Sequence, residues 1–160
     1  MKCIACGREG MTSAREDHPF VDLPDVTLVD VLVYRCQSCG EVEVEIPRPA
    51  ALSRTVALAL VEKAGPLDAG EFRFLRKHLD LSAEEVARYL AVDKATVSRW
   101  ENGRTPVPIA VDRVARGLVR DLEPVPGWFR AALPRLAGLH ETGPMKLRVR
   151  NEDGGWALAA

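Results

Sequence analysis

The chain has 160 residues, 47% of them hydrophobic and 28% charged, and a formal net charge of −1 at pH 7. These fractions describe a soluble globular protein of one or two domains and exclude the whole-chain basicity that is the usual footprint of nucleic-acid binding. No stretch is apolar for long enough to cross a bilayer, and Met1-Lys2-Cys3 opens no secretory h-region, so a cytoplasmic location is expected.

The chain begins with a knuckle, Cys3-Ile-Ala-Cys6-Gly7, that returns as Cys36-Gln-Ser-Cys39-Gly40. In a reducing compartment, paired cysteines favour metal over disulfides. A C-x-x-C turn lets two sulfurs reach one ion, and the glycine after each second cysteine relieves the turn. Cys3, Cys6, Cys36 and Cys39 together make a closed tetrahedral thiolate shell that suits one structural Zn2+. Such a shell leaves no position for water or substrate, which points away from catalysis. A redox pair, an iron site, and His18 or His140 as substitute ligands are the competing readings. No thioredoxin-like βαβ pattern surrounds either pair, and four cysteines already complete the shell.

Val26 to Tyr34 is a strand-like run that feeds Cys36. Val42, Val44 and Ile46 alternate with Glu41, Glu43 and Glu45, the period-two signal of a half-exposed strand. Pro47-Arg48-Pro49 ends the pairing, which gives a two-knuckle domain over residues 1–48. From Met1 to Pro49 there are five Lys/Arg against nine Asp/Glu, and zinc on four thiolates adds two further negative charges. A segment of that charge avoids DNA and suits a basic protein partner.

Leu52, Val56 and Leu60, with Ala57 and Val61 beside them, recur at helical spacing until Gly65-Pro66 stops the run. Residues 49–66 read as a linker or dimerisation helix, or as a helix packed on its own domain. Four helical patterns follow in residues 67–123. Phe72, Leu75 and Leu79 mark the first, over Ala69 to His78. Ser82-Ala-Glu-Glu85 is a capping box that opens the second, which turns Val86, Ala87 and Leu90 inward. After Ala91-Val92-Asp93, the third runs from Lys94 to Asn102, with Asp93 as N-cap and Gly103 as C-terminal stop. The fourth begins near Pro108 and presents Ile109, Val111, Val114, Ala115, Leu118 and Leu122. The extension over residues 124–160 holds a short amphipathic helix, marked by Trp128, Phe129, Ala132, Leu133 and Leu136. A hairpin follows, with Asn151 to Gly155 as its loop, that either completes a dimer interface or covers the fourth helix.

A short helix, a tight turn and a second helix with an outward N-terminal face is the arrangement that reads the major groove. Val97 and Trp100 face inward at a three-residue step, leaving Lys94, Ala95, Thr96, Ser98 and Arg99 outside. Arg99 can bond guanine in bidentate fashion, and Thr96 can bond a base or meet a thymine methyl. Ser82 stands where exposed N–H groups favour phosphate, and Arg104 can clamp the backbone. Pro66 to Glu123 carries ten Lys/Arg and ten Asp/Glu, so the same pattern also fits ordinary solvated faces.

Phe72-Arg-Phe-Leu-Arg-Lys, Leu81-Ser-Ala-Glu-Glu-Val-Ala and Ala95-Thr-Val-Ser-Arg-Trp-Glu-Asn-Gly103 together resemble an Xre/Cro-type helix-turn-helix. The order knuckle, knuckle, helix-turn-helix resembles the MqsA (YgiT-type) family of zinc-finger antitoxins and related regulators, over roughly Met1 to Asp121. The resemblance implies an N-terminal zinc domain that contacts a toxin and a C-terminal domain that dimerises and represses its own operon. It makes Cys3, Cys6, Cys36 and Cys39 the zinc ligands and Arg99 the base-reading arginine. A base-reading asparagine of the family falls where this chain has Ala95, and a glutamine common in Xre domains is replaced by Ala83. The operator sequence is therefore not transferable.

The expected fold is α+β: a small zinc-bound β module, then an all-α five-helix Xre-type domain, then a C-terminal helix and β-hairpin extension. The expected activity is non-enzymatic: a homodimer binding double-stranded DNA at a palindromic operator, with a basic toxin on the N-terminal domain. A solitary regulator whose extension takes a ligand or protein, and a thiol redox switch or zinc enzyme, are the rivals.

Overall fold

The computed structural model describes residues 1–137, 143–152 and 154–160, arranged as two compact units. One comprises Met1–Leu52 with Lys146–Ala160, the other Ser53–Met145. No helix among the described residues is long and apolar enough to cross a membrane.

The first unit is a five-stranded sheet built on one long strand. Its strands are β1 (Met11–Phe20), β2 (Leu23–Cys36), β3 (Val42–Val44), β4 (Leu147–Glu152) and β5 (Gly155–Leu158). β2 is rich in β-branched residues and buries Val26, Leu28, Val29, Val31 and Val33, the composition of a central strand. β1 covers one edge of it in antiparallel register, from Met11 opposite Cys36 to Phe20 opposite Leu23. The ladder shifts between Glu16 and His18. There Asp30 takes a left-handed φ of 55°, its N–H donates to Asp17 Oδ1 at 3.1 Å, and its carbonyl accepts from Arg15 at 2.8 Å. These are the marks of a bulge held by its neighbours' side chains.

β2's other edge is shared. β3 pairs antiparallel with Val33 to Arg35, and β4 pairs parallel with Val26 to Val29. The hairpin expected near the C-terminus is present, with Asp153 outside the described residues, but it does not stand apart as an extension. Its strands complete the N-terminal sheet. The physical cause lies in the apolar row Val26, Leu28 and Val29, which β3 is too short to reach, and to which β4 adds buried Leu147 and Val149. Trp156 Nε1 donates to the Pro47 carbonyl at 2.7 Å and Arg48 to the Glu152 carbonyl at 3.0 Å, tying the hairpin to the Pro47-Arg48-Pro49 segment.

The second unit is helical. Its elements are α1 (Pro49–Glu62, within this unit from Ser53), α2 (Ala69–His78), α3 (Ala83–Tyr89), α4 (Lys94–Glu101), α5 (Ile109–Leu122) and α6 (Trp128–Ala137). α1 buries Val56, Ala57, Leu60 and Val61, and Arg54 pairs with Glu123 while Ser53 bonds His78 at 2.9 Å. From Ser53 onward it is thus a packed helix of this unit. At its C-terminal end the chain turns through Gly65-Pro66, where carbonyls would be left without partners. The fully buried Arg116 of α5 supplies them. It donates to the carbonyls of Val61 (3.2 Å), Lys63 (2.7 Å) and Gly65 (2.5 Å), while Asp112 holds its Nε at 2.8 Å. Asp112 also accepts the Leu67 N–H at 2.6 Å. Beside this, Lys63 and Glu71 form a buried pair at 2.6 Å, and Glu71 accepts the N–H of Asp68 (2.9 Å) and of Met145 (2.8 Å). Glu62 gathers Arg120, Trp128 Nε1 and Arg135, anchoring α6 to α1 and α5.

Arg116→Met leaves a buried carboxylate and three carbonyls without their donor. The expected loss is ~3–5 kcal/mol of unfolding free energy, read by urea denaturation. Adding Asp112→Asn should restore part of it. Additive losses in the double variant would show that the pair is not the source.

Candidate metal centre and nucleic-acid interface

The β1–β2 hairpin answers the long interval between the knuckles. Met11 is opposite Cys36, so the first knuckle, just ahead of β1, lies beside the second, which leaves the end of β2. The two turns are built alike. Gly7 N–H donates to the Cys3 carbonyl at 2.9 Å and Gly40 N–H to the Cys36 carbonyl at 3.0 Å, with φ of 71° and 76°. A side chain at either glycine would be strained by that backbone, which is why this residue closes each knuckle. Cys3 N–H to the Arg8 carbonyl (3.0 Å) and Cys36 N–H to the Glu41 carbonyl (2.9 Å) complete the match.

The four sulfurs lie within 4.8 Å of one another. Two of the separations, Cys3 to Cys39 and Cys6 to Cys36, are 3.7 Å. A tetrahedron with metal–sulfur bonds of ~2.3 Å has edges of about 3.8 Å, so the cluster is dimensioned for one ion of that kind. Its electrostatics point the same way. The backbone N–H of Ser38, and then that of Cys39, hold the Cys36 thiol down at about 6. Cys39 is pushed up to about 12: the Glu41 N–H favours its thiolate, but the hydrogen bond with Cys6 and loss of solvent outweigh it. One thiolate forms readily and the next is opposed by its neighbours, an opposition that a dication held between the sulfurs would relieve. His18 is not in the cluster; it sits 3.9 Å from Glu16. His140 lies outside the described residues.

In the helical unit, α2, α3 and α4 each end in the same way. The sixth residue's N–H returns to the first carbonyl: Leu81 to Arg76 (3.2 Å), Val92 to Ala87 (2.9 Å) and Arg104 to Arg99 (2.9 Å). The left-handed residue inside each is Asp80, Ala91 or Gly103, which makes all three Schellman motifs. Starts are equally marked. Asp68 and Ser82 head reciprocal capping boxes, and Asp93 Oδ1 accepts the Thr96 N–H at 2.7 Å. Short helices at this density of caps hold a definite direction without long hydrophobic faces.

α4 divides as its spacing implies. Val97 and Trp100 are buried, with Trp100 edge-on to Phe72 at 6.1 Å between ring centres. Lys94, Ala95, Ser98 and Arg99 are exposed and Thr96 half-buried. Lys94 approaches Glu84 at 3.7 Å. Ser82 is exposed, with its hydroxyl engaged by the Glu85 N–H at 3.1 Å; Arg104 is exposed beyond the C-terminal cap. Three further residues, absent from the expected set, hold this face in place. Arg76 grips Glu101 through two bonds, at 2.5 and 3.1 Å, and the Leu81 carbonyl at 2.7 Å, fastening the end of α4 to α2 and to the loop before α3. Asp93 reaches along the helix toward Arg99, 4.0 Å away. The spacing Asp93, Thr96, Arg99 was visible as a row three residues apart; the Arg76–Glu101 pair, 25 residues apart in sequence, carried no such local signal.

Residues 1–124 match a family model described as the antitoxin component of a bacterial toxin–antitoxin system, MqsA. No curated protein and no solved structure matches the chain.

Removing metal with a chelator should collapse the sheet unit while the helical unit keeps its far-ultraviolet signal at 222 nm. Elemental analysis should count one ion per chain, and Cys36→Ser should lower that count. A chelated protein with unchanged amide-exchange protection along β2 would rule out a structural metal.

Proposed function

The chain belongs to the MqsA antitoxin family, and from that premise we propose that it is the antitoxin of a type II toxin–antitoxin pair. In this reading it is a sequence-specific repressor of its own operon and not an enzyme. Residues 67–123 are an Xre-type helix-turn-helix domain in which α4 is the recognition helix. A homodimer sets two copies of α4 into successive major grooves of a palindromic operator, with half-sites about one helical turn apart. Arg99, Thr96, Ser98, Ala95 and Lys94 face the bases, and Ser82 and Arg104 the flanking phosphates. The four-cysteine centre holds one structural Zn2+ and keeps the sheet module in shape for a toxin.

The observation that carries this reading is the division of α4. Val97 and Trp100 are buried, Trp100 against Phe72, and the Arg76–Glu101 clamp fastens the helix end, while an arginine and three small or hydroxylated side chains are left on its outer face. An arginine beside small and hydroxylated side chains, on a helix fixed by its cap and its clamp, suits contact with base edges. The net charge of the helical segment is not what favours DNA; local placement of Lys94, Arg99 and Arg104 is. For the toxin, the case for a strongly basic partner is softened by the hairpin, because β4 brings Arg148 and Arg150 into the otherwise acidic module and Arg148 pairs with Asp17 at 2.8 Å. A partner of mixed charge is accommodated as well as a basic one.

Binding to the chain's own upstream region should be specific, saturable and weaker at higher salt. Arg99→Ala should lose ~1–3 kcal/mol of specific binding and relax one base position, measured by titration against a scanned set of duplexes. Equal binding of the variant and the wild type to operator and random DNA would remove α4 as the recognition helix.

A further inference from the structure

Three residues that serve α4 separately also form one connected row. Asp93 precedes the helix as its cap, Thr96 follows one turn on, and Arg99 one turn beyond that, so all three share a face. Thr96 is the middle link. Its hydroxyl donates to Asp93 Oδ2 at 3.1 Å and accepts from Arg99 Nη2 at 2.7 Å. A hydroxyl has a single proton, so giving it to the carboxylate turns its lone pairs toward the guanidinium. Charge at both ends fixes the direction of both bonds. The Arg99–Asp93 separation of 4.0 Å adds attraction along the same line.

The cap alone does not call for this. Ser, Asn and Asp cap helices about equally well, and Ser82 does so for α3 without a formal charge. A carboxylate at the N-terminal end of α4 weakens attraction to every DNA sequence alike, so affinity for DNA does not account for it. What the charge adds is control of Arg99. An arginine has many rotamers to lose when it meets a base edge, and one already held in place has fewer. Thr96 occupies only one of the five N–H donors of the guanidinium, so the held side chain keeps others for the two acceptors of a guanine.

We infer that Asp93, acting through Thr96, is a positioning residue that sets the Arg99 guanidinium for base recognition, an inference that rests on α4 being the recognition helix. It lowers affinity for DNA in general and raises discrimination at one base, the pattern expected of a group that acts partly by disfavouring wrong partners.

The test uses the full-length, metal-loaded protein and a duplex that the wild type enriches from a random-sequence pool. Arg99→Ala first identifies the base position that Arg99 reads. Asp93→Asn, which keeps a capping oxygen, should leave the melting temperature unchanged and bind random duplex as tightly as the wild type or more so. At the Arg99 position it should lose about three- to tenfold of discrimination. Thr96→Val, which keeps the carboxylate and the cap, should lose discrimination at that same position. In an Arg99→Ala background neither change should alter discrimination further at the Arg99 position, an outcome that a purely structural role of Asp93 would not produce. Should Asp93→Asn prove unstable, Thr96→Val with its Arg99→Ala double variant decides. Wild-type discrimination in both single variants overturns the positioning role while leaving α4 as the reader. A wild type that enriches no sequence, or an Arg99→Ala variant that relaxes no position, overturns the recognition helix and this inference together.

Discussion

Arg116 is the constraint on which the helical unit depends. A helix that ends in a Gly-Pro turn leaves several carbonyls pointing into the interior, and water cannot reach them there. One guanidinium with five N–H donors meets three of those carbonyls and a carboxylate at once, a task that no single neutral side chain could perform. Its positive charge also stands at the negative end of the α1 dipole. Asp112 then spends its second oxygen on the Leu67 N–H, so α5 grips the chain both before and after Pro66. The Lys63–Glu71 pair continues the same wiring to the start of α2 and to Met145. With α1, α2 and α5 joined in this way, the outer pair α3 and α4 can be short. Their direction is fixed by caps and by the Arg76–Glu101 clamp together with the buried Val86, Val97 and Trp100.

In the sheet unit the comparable constraint is the pairing of β1 with β2. It delivers two knuckles from opposite ends of a thirty-residue interval to one point, and the glycines at positions 7 and 40 let the backbone turn there. Acidic residues crowd this part of the chain, yet many are occupied. Glu16 pairs with Arg35, Asp17 with Arg148 and Asp30 with Arg15. The field at the surface is therefore more mixed than a count of residues 1–49 implies.

The legible parts of the sequence were those with local signatures. Helix limits near Ala69, Ser82, Lys94 and Pro108 could be read because capping residues and stops lie within four positions of what they cap. The cysteines were legible because the chemistry of the site is written in two short turns. β1 was not, because Thr12 to Pro19 is an exposed edge with little apolar alternation, and its strand character comes from the partner it meets. The destination of the C-terminal hairpin was not legible either. The loop at Asn151 to Gly155 showed a hairpin, but parallel pairing across more than a hundred residues leaves no local trace. For the same reason no local signal marks Arg116, which is fully buried.

The parallel ladder between β2 and β4 has a consequence for the order in which the molecule can be made. Residues 53–145 form a compact unit lying entirely between two stretches of chain that belong to the other one. A ribosome therefore releases the helical unit whole while the sheet still lacks β4 and β5. The apolar edge at Val26 to Val29 must wait, uncovered, until Leu147 and Val149 emerge. A break between Met145 and Leu147 would spare the helices and strip two strands from the module that carries the cysteines. Residues 146–160 are in this sense a late seal on a sheet begun before the helices.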